Sequence, residues 1–252
     1  MSDSPPSSEL WRVSEFERVR AQALSSGFSN LDTPTVLPTT LLADLRRLDA
    51  SGNRGDLLEV AAACMRNHEA ALLCFEIDAR VWPVTLFPGQ MLYHSPRALT
   101  NAGAGVLSRL KLLRVDPPGV RPPGHWMHER VAEVEHYRPL GPLLWALAIE
   151  GPRTALLTEI AGNVAYRAIR SPAEDGLALG GAMRSAAERL RRETVSLRAI
   201  SEWPGMSIER ASRLLNGLYL NSALLATRAH PAARDRKAGG WLQRLGLAKR
   251  GG

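Results

Sequence analysis

The sequence has little of several things that define common protein classes. It contains two cysteines in 252 residues, too few for a disulfide framework, which predicts a reducing compartment such as the cytoplasm. Its longest uncharged stretch, Val81–Pro96, has 16 residues and three prolines, whereas a membrane-spanning helix needs about 20 apolar residues. The N-terminus lacks a basic region followed by an apolar core, so we expect no signal peptide. We therefore predict a cytoplasmic protein without a transmembrane segment.

Motifs of common enzyme classes are also missing. The sequence has no glycine-rich phosphate-binding loop and no Gly-x-Ser-x-Gly nucleophile turn. Three histidines and several glutamates lie in residues 125–136, but they follow a proline-rich loop, and zinc needs three or four ligands held by fixed elements. Cys64 and Cys74 are expected to be small core residues. The prediction is a protein that is not an enzyme, with no cofactor and no metal site.

Basic charge is concentrated at the C-terminal end. Residues 1–180 carry 18 lysines and arginines against 20 acidic residues, whereas residues 181–252 carry 14 against 5, for an overall net charge of +7. Such an excess predicts an anionic partner, which is nucleic acid, an acidic membrane surface or an acidic protein. Nearly all of these basic residues are arginine, a bias that a GC-rich genome also produces, so composition leaves the choice open.

The pattern of apolar residues predicts an α+β fold. Helices and an antiparallel β-meander come first, and a mostly helical, winged-helix-like domain follows. We predict five segments: a flexible N-terminal tail (1–35), a helix-plus-meander domain (36–135), a helical connector with a short strand (136–180), the winged-helix-like domain (181–230) and a basic flexible tail (231–252).

In the predicted meander domain, a helix over residues 57–67 is capped by Asp56. Pro83 lies inside the second strand, which favours an edge or bulged position. Pro88 and Gly89 predict a turn in which Gly89 takes a positive φ. The predicted strands are Ala70–Ile77, Val81–Phe87, Met91–His94 and residues 109–116, followed in the connector by helices Leu140–Ile149 and Thr154–Ile160 and a strand Asn163–Ile169.

The order of predicted elements in residues 182–228 resembles a winged helix-turn-helix. A helix, a short helix capped by Ser196, a turn at Pro204–Met206, a second helix capped by Ser207 and a strand Ala223–Thr227 follow one another. In a DNA-binding version the helix Ile208–Asn221 enters the major groove. Winged-helix units also serve in dimerisation and docking, so the resemblance leaves both roles open.

Six side chains of this region are predicted to bind DNA. Arginine reads guanine edges and asparagine reads adenine, while arginines on the preceding helix contact phosphates. Ser212 is expected to be exposed beside them, and Glu209 would repel phosphate. The predicted DNA-binding residues are Arg184, Arg191, Arg192, Arg210, Arg213 and Asn216.

A second motif ends the predicted meander. The helix LLEVAAACMRN leads into a strand, and the meander closes with LFPGQMLYHSP. This region, residues 56–96, resembles the PATAN domain family of bacterial response regulators and related signalling proteins. The family's run is phenylalanine, two residues, glycine, an apolar pair, histidine and a small residue; here one residue fewer precedes the glycine and Tyr93 is extra. The resemblance implies a non-enzymatic adaptor in bacterial signalling, linked to pili or surface motility. The matching residues are Phe87, Gly89, Met91, Leu92, His94 and Ser95.

Two functions follow from these observations. The first is a bacterial DNA-binding regulator whose N-terminal module senses or docks. The second is a protein-interaction adaptor whose winged helix mediates dimerisation or docking. The basic tail with Trp241 adds weak contact with an anionic membrane, and the arginines around residue 191 leave a cyclic dinucleotide open as a ligand. DNA affinity that falls steeply with salt would separate the two functions.

Overall fold

The computed structural model describes residues 10–18, 37–52, 55–99, 105–177 and 179–233. The chain divides into two compact units, Met1–Arg153 and Thr154–Gly252. Each unit contains helices and an antiparallel sheet, which confirms the predicted α+β class. No helix in the described part of the chain combines the length and the apolar character needed to cross a membrane.

The first unit is built on a five-stranded antiparallel sheet. Its elements in chain order are helices α1 (Thr39–Ala50) and α2 (Leu57–Asn67), strands β1 (Ala71–Ile77), β2 (Arg80–Phe87), β3 (Leu92–His94), β4 (Lys111–Asp116) and β5 (Tyr137–Pro139), and helix α3 (Leu140–Glu150). The strand order is β4-β1-β2-β3-β5. The predicted meander is therefore the centre of a larger sheet, which β4 and β5 extend on opposite sides.

Helix α2 is a core element of this unit. As predicted, the Asp56 carboxylate caps it by accepting hydrogen bonds from the N–H groups of Leu58 and Glu59 at 3.0 and 3.2 Å. The eight residues from Leu57 to Cys64 are all buried. Glu59 is among them, and the Arg153 guanidinium lies 2.8 Å from its carboxylate and also contacts Asp56. The residue that ends the first unit thus supplies the cation that a buried carboxylate requires.

The β1–β2 hairpin closes with a two-residue turn. Asp78 and Ala79 have φ values of 47° and 59°, between the paired residues Ile77 and Arg80. Two positive φ angles are typical of the type I′ turn, whose twist matches that of the flanking strands. Neither residue is glycine, so the turn carries the steric cost of the left-handed region.

Part of the predicted flexible N-terminal tail is bonded to this hairpin. The Val81 N–H donates to the Trp11 carbonyl at 2.8 Å, and the Val13 N–H donates to the Ala79 carbonyl at 3.0 Å. Leu10 is buried. The prediction of a tail is wrong for these residues, because the start of β2 extends beyond β3 and leaves its backbone free to pair. The rest of the predicted tail, residues 1–9 and 19–35, lies outside the described residues.

Pro83 lies inside β2, which has a neighbouring strand on each side, so the predicted edge position is wrong for the strand as a whole. The pairing of β2 with β3 covers only Thr85–Phe87, however. Pro83 lies beyond that pairing, and its carbonyl accepts a hydrogen bond from the Ser95 hydroxyl at 2.9 Å. No β3 residue stands opposite the proline, so its missing N–H leaves no ladder bond unmade.

The turn after β2 also differs from the prediction. Pro88–Gln90 forms a short 3-10 turn, and the residue with positive φ is Met91, at 52°, rather than Gly89. Because the turn is one residue longer than predicted, the Met91 N–H donates a hydrogen bond to the Pro88 carbonyl at 3.2 Å. The Met91 carbonyl accepts from the Leu140 N–H at 2.8 Å, which ties this turn to the start of α3.

The boundary between the units lies at Arg153–Thr154, whereas the sequence predicted boundaries after residues 135 and 180. The physical reason is strand pairing across those positions. Strand β5 pairs with β3 and therefore belongs to the first unit. The strand predicted in the connector pairs with strands that follow residue 190, and therefore belongs to the second.

The second unit has a three-stranded sheet and three helices among its described residues. Its elements are β6 (Ala165–Ala168), α4 (Gly181–Leu190), β7 (Val195–Ser196), α5 (Leu197–Ser201), α6 (Ile208–Leu220) and β8 (Leu224–Thr227). The sheet order is β7-β6-β8, so the central strand comes from before α4. The predicted order of helix, short helix, turn, helix and strand is present, but the predicted domain omitted the central strand.

Local sequence accounts for the helices of the second unit. The hydroxyl of Ser207 accepts a hydrogen bond from the Arg210 N–H at 3.1 Å, as a helix cap does. Gly205, between α5 and α6, has a φ of 71°, and a Cβ added there would lie 2.8 Å from the Ala182 Cβ. Glycine is therefore required both by the turn and by its close approach to α4. The predicted inward face of α4 is confirmed as buried: Met183, Ala186, Ala187 and Leu190.

Candidate functional site

Helix α6 carries three of the predicted DNA-binding residues, and most of it is enclosed. Asn216 is 0% exposed and Ser212 is 1% exposed, so the predicted exposure of both is wrong. The Arg213 side chain is 14% exposed and lies 3.0 Å from the Glu209 carboxylate. Only the first turn of α6, which includes Arg210, is open to solvent.

The chain that precedes β6 covers one face of α6. The Asn216 side chain accepts a hydrogen bond from the Leu157 N–H and donates one to the Ala155 carbonyl, both at 2.9 Å. The Tyr219 hydroxyl contacts the Glu159 carboxylate. Residues three apart share a helix face, so this face of α6 is occupied. The predicted helix over Thr154–Ile160 is wrong, because only Thr158–Ile160 forms a 3-10 turn and the rest is non-helical.

The open first turn of α6 carries one exposed arginine, and α4 carries another. The Arg210 guanidinium donates to the Gly205 carbonyl, and Arg184 Nε donates to the Leu179 carbonyl at 2.9 Å. Both side chains are exposed. Gly205 packs closely against Ala182, so the turn that precedes α6 lies against the first turn of α4.

Glutamates neutralise half of the arginines in residues 181–233, which hold eight arginines and four glutamates. Each glutamate has an arginine partner: Glu188 with Arg191 at 3.4 Å, Glu193 with Arg189 at 3.0 Å, Glu202 with Arg198 at 3.4 Å, and Glu209 with Arg213 at 3.0 Å. The other four arginines have no carboxylate at ion-pair distance within the described ranges: Arg184, Arg192, Arg210 and Arg228. Two predicted DNA contacts, Arg191 and Arg213, are thus among the neutralised ones.

Strand β8 is an edge of the second sheet, with β6 on one side only. It reads Leu-Leu-Ala-Thr, without a charged residue or a proline. Leu225 is 53% exposed, and Ile169, which follows β6, is 60% exposed beside it. The Ile169 N–H donates to the Ala223 carbonyl at 2.9 Å, which extends the ladder to the residue before β8. The strand therefore offers an open backbone edge next to exposed apolar side chains.

A shallow depression beside β8 combines basic and apolar side chains. Arg167 stands opposite Leu225 in the strand pairing, and its Nε donates to the Arg191 carbonyl at 3.3 Å. Arg167 and Arg192 form no ion pair with any carboxylate that the structure describes. The depression is lined by Arg167, Ala168, Ile169, Glu188, Arg191, Arg192 and Leu225. We call this depression together with strand β8 the edge surface.

The six predicted DNA-binding residues do not form one surface. Arg191 and Arg192 lie at the edge surface, Arg184 is exposed on α4, Arg210 is exposed on the first turn of α6, Arg213 is ion-paired and Asn216 is interior. Sequence reasoning missed Arg167, Ile169 and Leu225. Period-two alternation in the predicted strands places Arg167 and Ile169 on one face, but the sequence carries no signal that β8 ends the sheet.

In the first unit, the PATAN-like run has structural roles in the sheet. Ser95 is 0% exposed, and its hydroxyl accepts from the Trp82 indole N–H at 3.2 Å while donating to the Pro83 carbonyl. A small residue that both donates and accepts fits this position. The His94 ring lies 5.0 Å from the Tyr137 ring at a tilt of 55°, and its buried Nε2 has no hydrogen-bond partner among the described residues.

The described residues of the first unit offer little chemistry beyond this. Burial raises the pKa of the Cys64 thiol to about 12 and that of Cys74 to about 11, so neither is a ready thiolate. Glu133, Glu135 and His136 lie close enough to share a metal ion, but both carboxylates are exposed. They belong to one short turn, which does not fix three ligands from separate elements as stable sites do.

Comparison of the chain with protein-family models, curated proteins and solved structures gives no match.

Proposed function

We propose that the protein is a non-enzymatic adaptor that docks a protein partner through the edge surface of its second unit. The observation that carries the proposal is the open β8 edge with Leu225 exposed beside it. Unpaired strand edges are templates for pairing with another chain, and soluble proteins ordinarily protect them. An unprotected edge beside exposed apolar side chains is typical of a binding surface.

The other three sheet edges in the described part of the chain are protected. Strand β4 carries charged residues such as Lys111, and its pairing with β1 has a register shift. Strand β5 has three residues and ends in Pro139, and β7 has two residues. Charge, proline, irregular pairing and short length are the usual protections of an edge. Among the described strands, β8 alone is a four-residue edge with neither charge nor proline.

The PATAN-like run supports an adaptor rather than an enzyme. In the family that it resembles, the implied role is bacterial signalling in the cytoplasm, linked to pili or surface motility. The first unit then serves as a second contact module, and the protein connects two partners. A homodimer through the edge surface is disfavoured, because it would bring the arginines of two copies together.

Double-stranded DNA is the second candidate partner. The observation that favours it is the pair Arg184 and Arg210, exposed and without carboxylate partners among the described residues. Arginines of this kind contact phosphates without reading sequence. The covered face of α6 leaves few side chains to read base edges, which is why we place the adaptor first.

Two measurements test the proposal. A photo-crosslinking amino acid placed at Leu225 in living bacteria should give a protein adduct that the same probe at Arg198, on α5, does not give. The protein identified by mass spectrometry should then bind the purified chain, and Leu225→Asp should weaken that binding. Absence of a Leu225-specific adduct counts against the adaptor.

Fluorescence anisotropy with random-sequence duplex DNA at two salt concentrations is the second measurement. The adaptor proposal expects weak binding that Arg184→Ala/Arg210→Ala changes little. Micromolar affinity that falls steeply with salt and is lost in this double variant would replace the adaptor with a DNA-binding protein.

A further inference from the structure

The register of the second sheet identifies which backbone groups of β8 are free. In an antiparallel ladder, hydrogen-bonded and non-hydrogen-bonded pairs alternate. The Ile169 N–H bonds to the Ala223 carbonyl, so Leu225, two residues on, also directs its N–H and carbonyl groups toward β6. Leu224 and Ala226 consequently direct theirs to the other side. No backbone hydrogen bond from another described segment reaches these groups, which leaves two donors and two acceptors at strand spacing.

The side chains around this edge are basic and apolar together. Arg167 and Arg192 lack carboxylate partners in the described part of the chain. Glu188, the acidic residue of the depression, is held by the Ser171 hydroxyl at 2.7 Å and by Arg191 at 3.4 Å. An incoming strand therefore meets uncompensated positive charge beside the exposed Leu225.

We infer that the partner supplies an extended segment in which acidic and apolar residues alternate, and that this segment adds to β8 as a fourth strand of the second sheet. This inference rests on the proposed adaptor function. Backbone hydrogen bonds to Leu224 and Ala226 give the segment its place. Arg167, on β6 next to β8, and Arg192, which follows α4, give the segment its charge preference, because they leave the depression positively charged and a complementary potential favours acidic residues.

The test uses the full chain and a fluorescein-labelled heptapeptide of alternating glutamate and valine, with a lysine–valine peptide as the charge control. Anisotropy should show binding of the glutamate peptide below 1 mM, on the order of the weaker affinities of short recognition segments, and at least tenfold weaker binding of the lysine peptide. Arg167→Glu/Arg192→Glu should weaken the glutamate peptide at least tenfold. The matched control Arg198→Glu/Arg210→Glu changes net charge equally at exposed positions away from the edge and should leave affinity within threefold.

Hydrogen exchange locates the contact. Saturating glutamate peptide should slow exchange of the Leu224 and Ala226 amides at least tenfold, while amides already bonded to β6 change little. Ala226→Pro removes an outward N–H without removing a β6 ladder bond, so it should abolish peptide binding in a folded protein. If that variant does not fold, the Arg167→Glu/Arg192→Glu protein carries the test.

Unprotected Leu224 and Ala226 amides, or equal binding of the two peptides, would overturn the inference. If cells give a Leu225-specific adduct but the glutamate–valine peptide does not bind the protein, the inference of an acidic partner strand is overturned and the adaptor function is retained. Loss of the adduct as well would remove both.

Discussion

The Asn216 side chain bridges two backbone groups of the chain before β6, accepting from the Leu157 N–H and donating to the Ala155 carbonyl at 2.9 Å each. One amide thus holds a non-helical segment against the middle of α6. The Leu157 N–H and its acceptor are buried, so the bond is shielded from water. A residue that the sequence placed at a DNA interface has a structural role inside the second unit.

Asn216→Ala should therefore destabilise the protein strongly. The buried Leu157 N–H would lose its acceptor, which costs about 1–3 kcal/mol, so we expect a loss of about 1–3 kcal/mol in free energy of unfolding. Urea unfolding followed by circular dichroism measures it. Arg210→Ala, at an exposed position of the same helix, should stay within about 0.5 kcal/mol of the parent. Equal stability of the two variants would mean that Asn216 does not make these bonds.

Ala79→Gly should stabilise the first unit. Ala79 has a φ of 59°, in the left-handed region where a Cβ costs about 1–2 kcal/mol. Glycine removes this cost, but its greater conformational freedom in the unfolded chain cancels part of the gain in stability. The expected net increase is about 0.5–1 kcal/mol, visible as a higher Tm. Ser185→Gly, on the exposed side of α4, should instead lower stability by about 0.5 kcal/mol. A lower Tm for Ala79→Gly would contradict the type I′ turn.

His94 should make stability depend on pH in the acidic range. Burial, with smaller contributions from His136 and Arg138, lowers the pKa of His94 to about 4 from a usual value of 6.5. Below pH 6.5, His94 therefore binds a proton in the unfolded chain but not in the folded chain. The stability contributed by neutral His94 is lost as pH falls from 6.5 toward 4. His94→Phe should flatten this part of the urea-midpoint profile, whereas His128→Gln, at an exposed position, should not. If the urea midpoint of His94→Phe changes with pH as steeply as that of the parent, other groups cause the pH dependence.

The local elements followed from the sequence because their signals are local. Asp56 and Ser207 each precede an apolar helix and cap it, and the buried face of α4 has the spacing of a helix. The bounds of α2, α3, α4 and α6 accordingly lie within a few residues of the predictions, whereas the helix predicted over Thr154–Ile160 is not formed. The period-two alternation of side chains also predicts strand β6, but it does not predict which strands pair with β6.

Pairing and exposure could not be predicted in the same way, since they depend on which segments meet. Asn216 is a polar residue of the kind that is usually exposed on a helix, and it is buried only because the segment containing Leu157 packs against it. Pro83 indicated an edge, yet its strand is central, and Pro83 lacks a strand partner only on the side of the short β3. Likewise, no local feature of Leu225 reveals that β8 ends the sheet. The candidate site therefore became visible only with the strand order.

Arg153→Met should destabilise the first unit more than the removal of an exposed arginine. Arg153 lies 2.8 Å from the carboxylate of Glu59, which is 4% exposed, and it also contacts Asp56 at the start of α2. Breaking a buried ion pair by removing its cation costs about 3–5 kcal/mol, because the carboxylate stays buried. Urea unfolding of Arg153→Met/Glu59→Gln should recover part of this loss, because the second change removes the unpaired charge. Arg198→Met, which breaks an exposed pair with Glu202, should cost about 0–0.5 kcal/mol. A cost for Arg153→Met as small as that of Arg198→Met would show that the Glu59 carboxylate is compensated by another group.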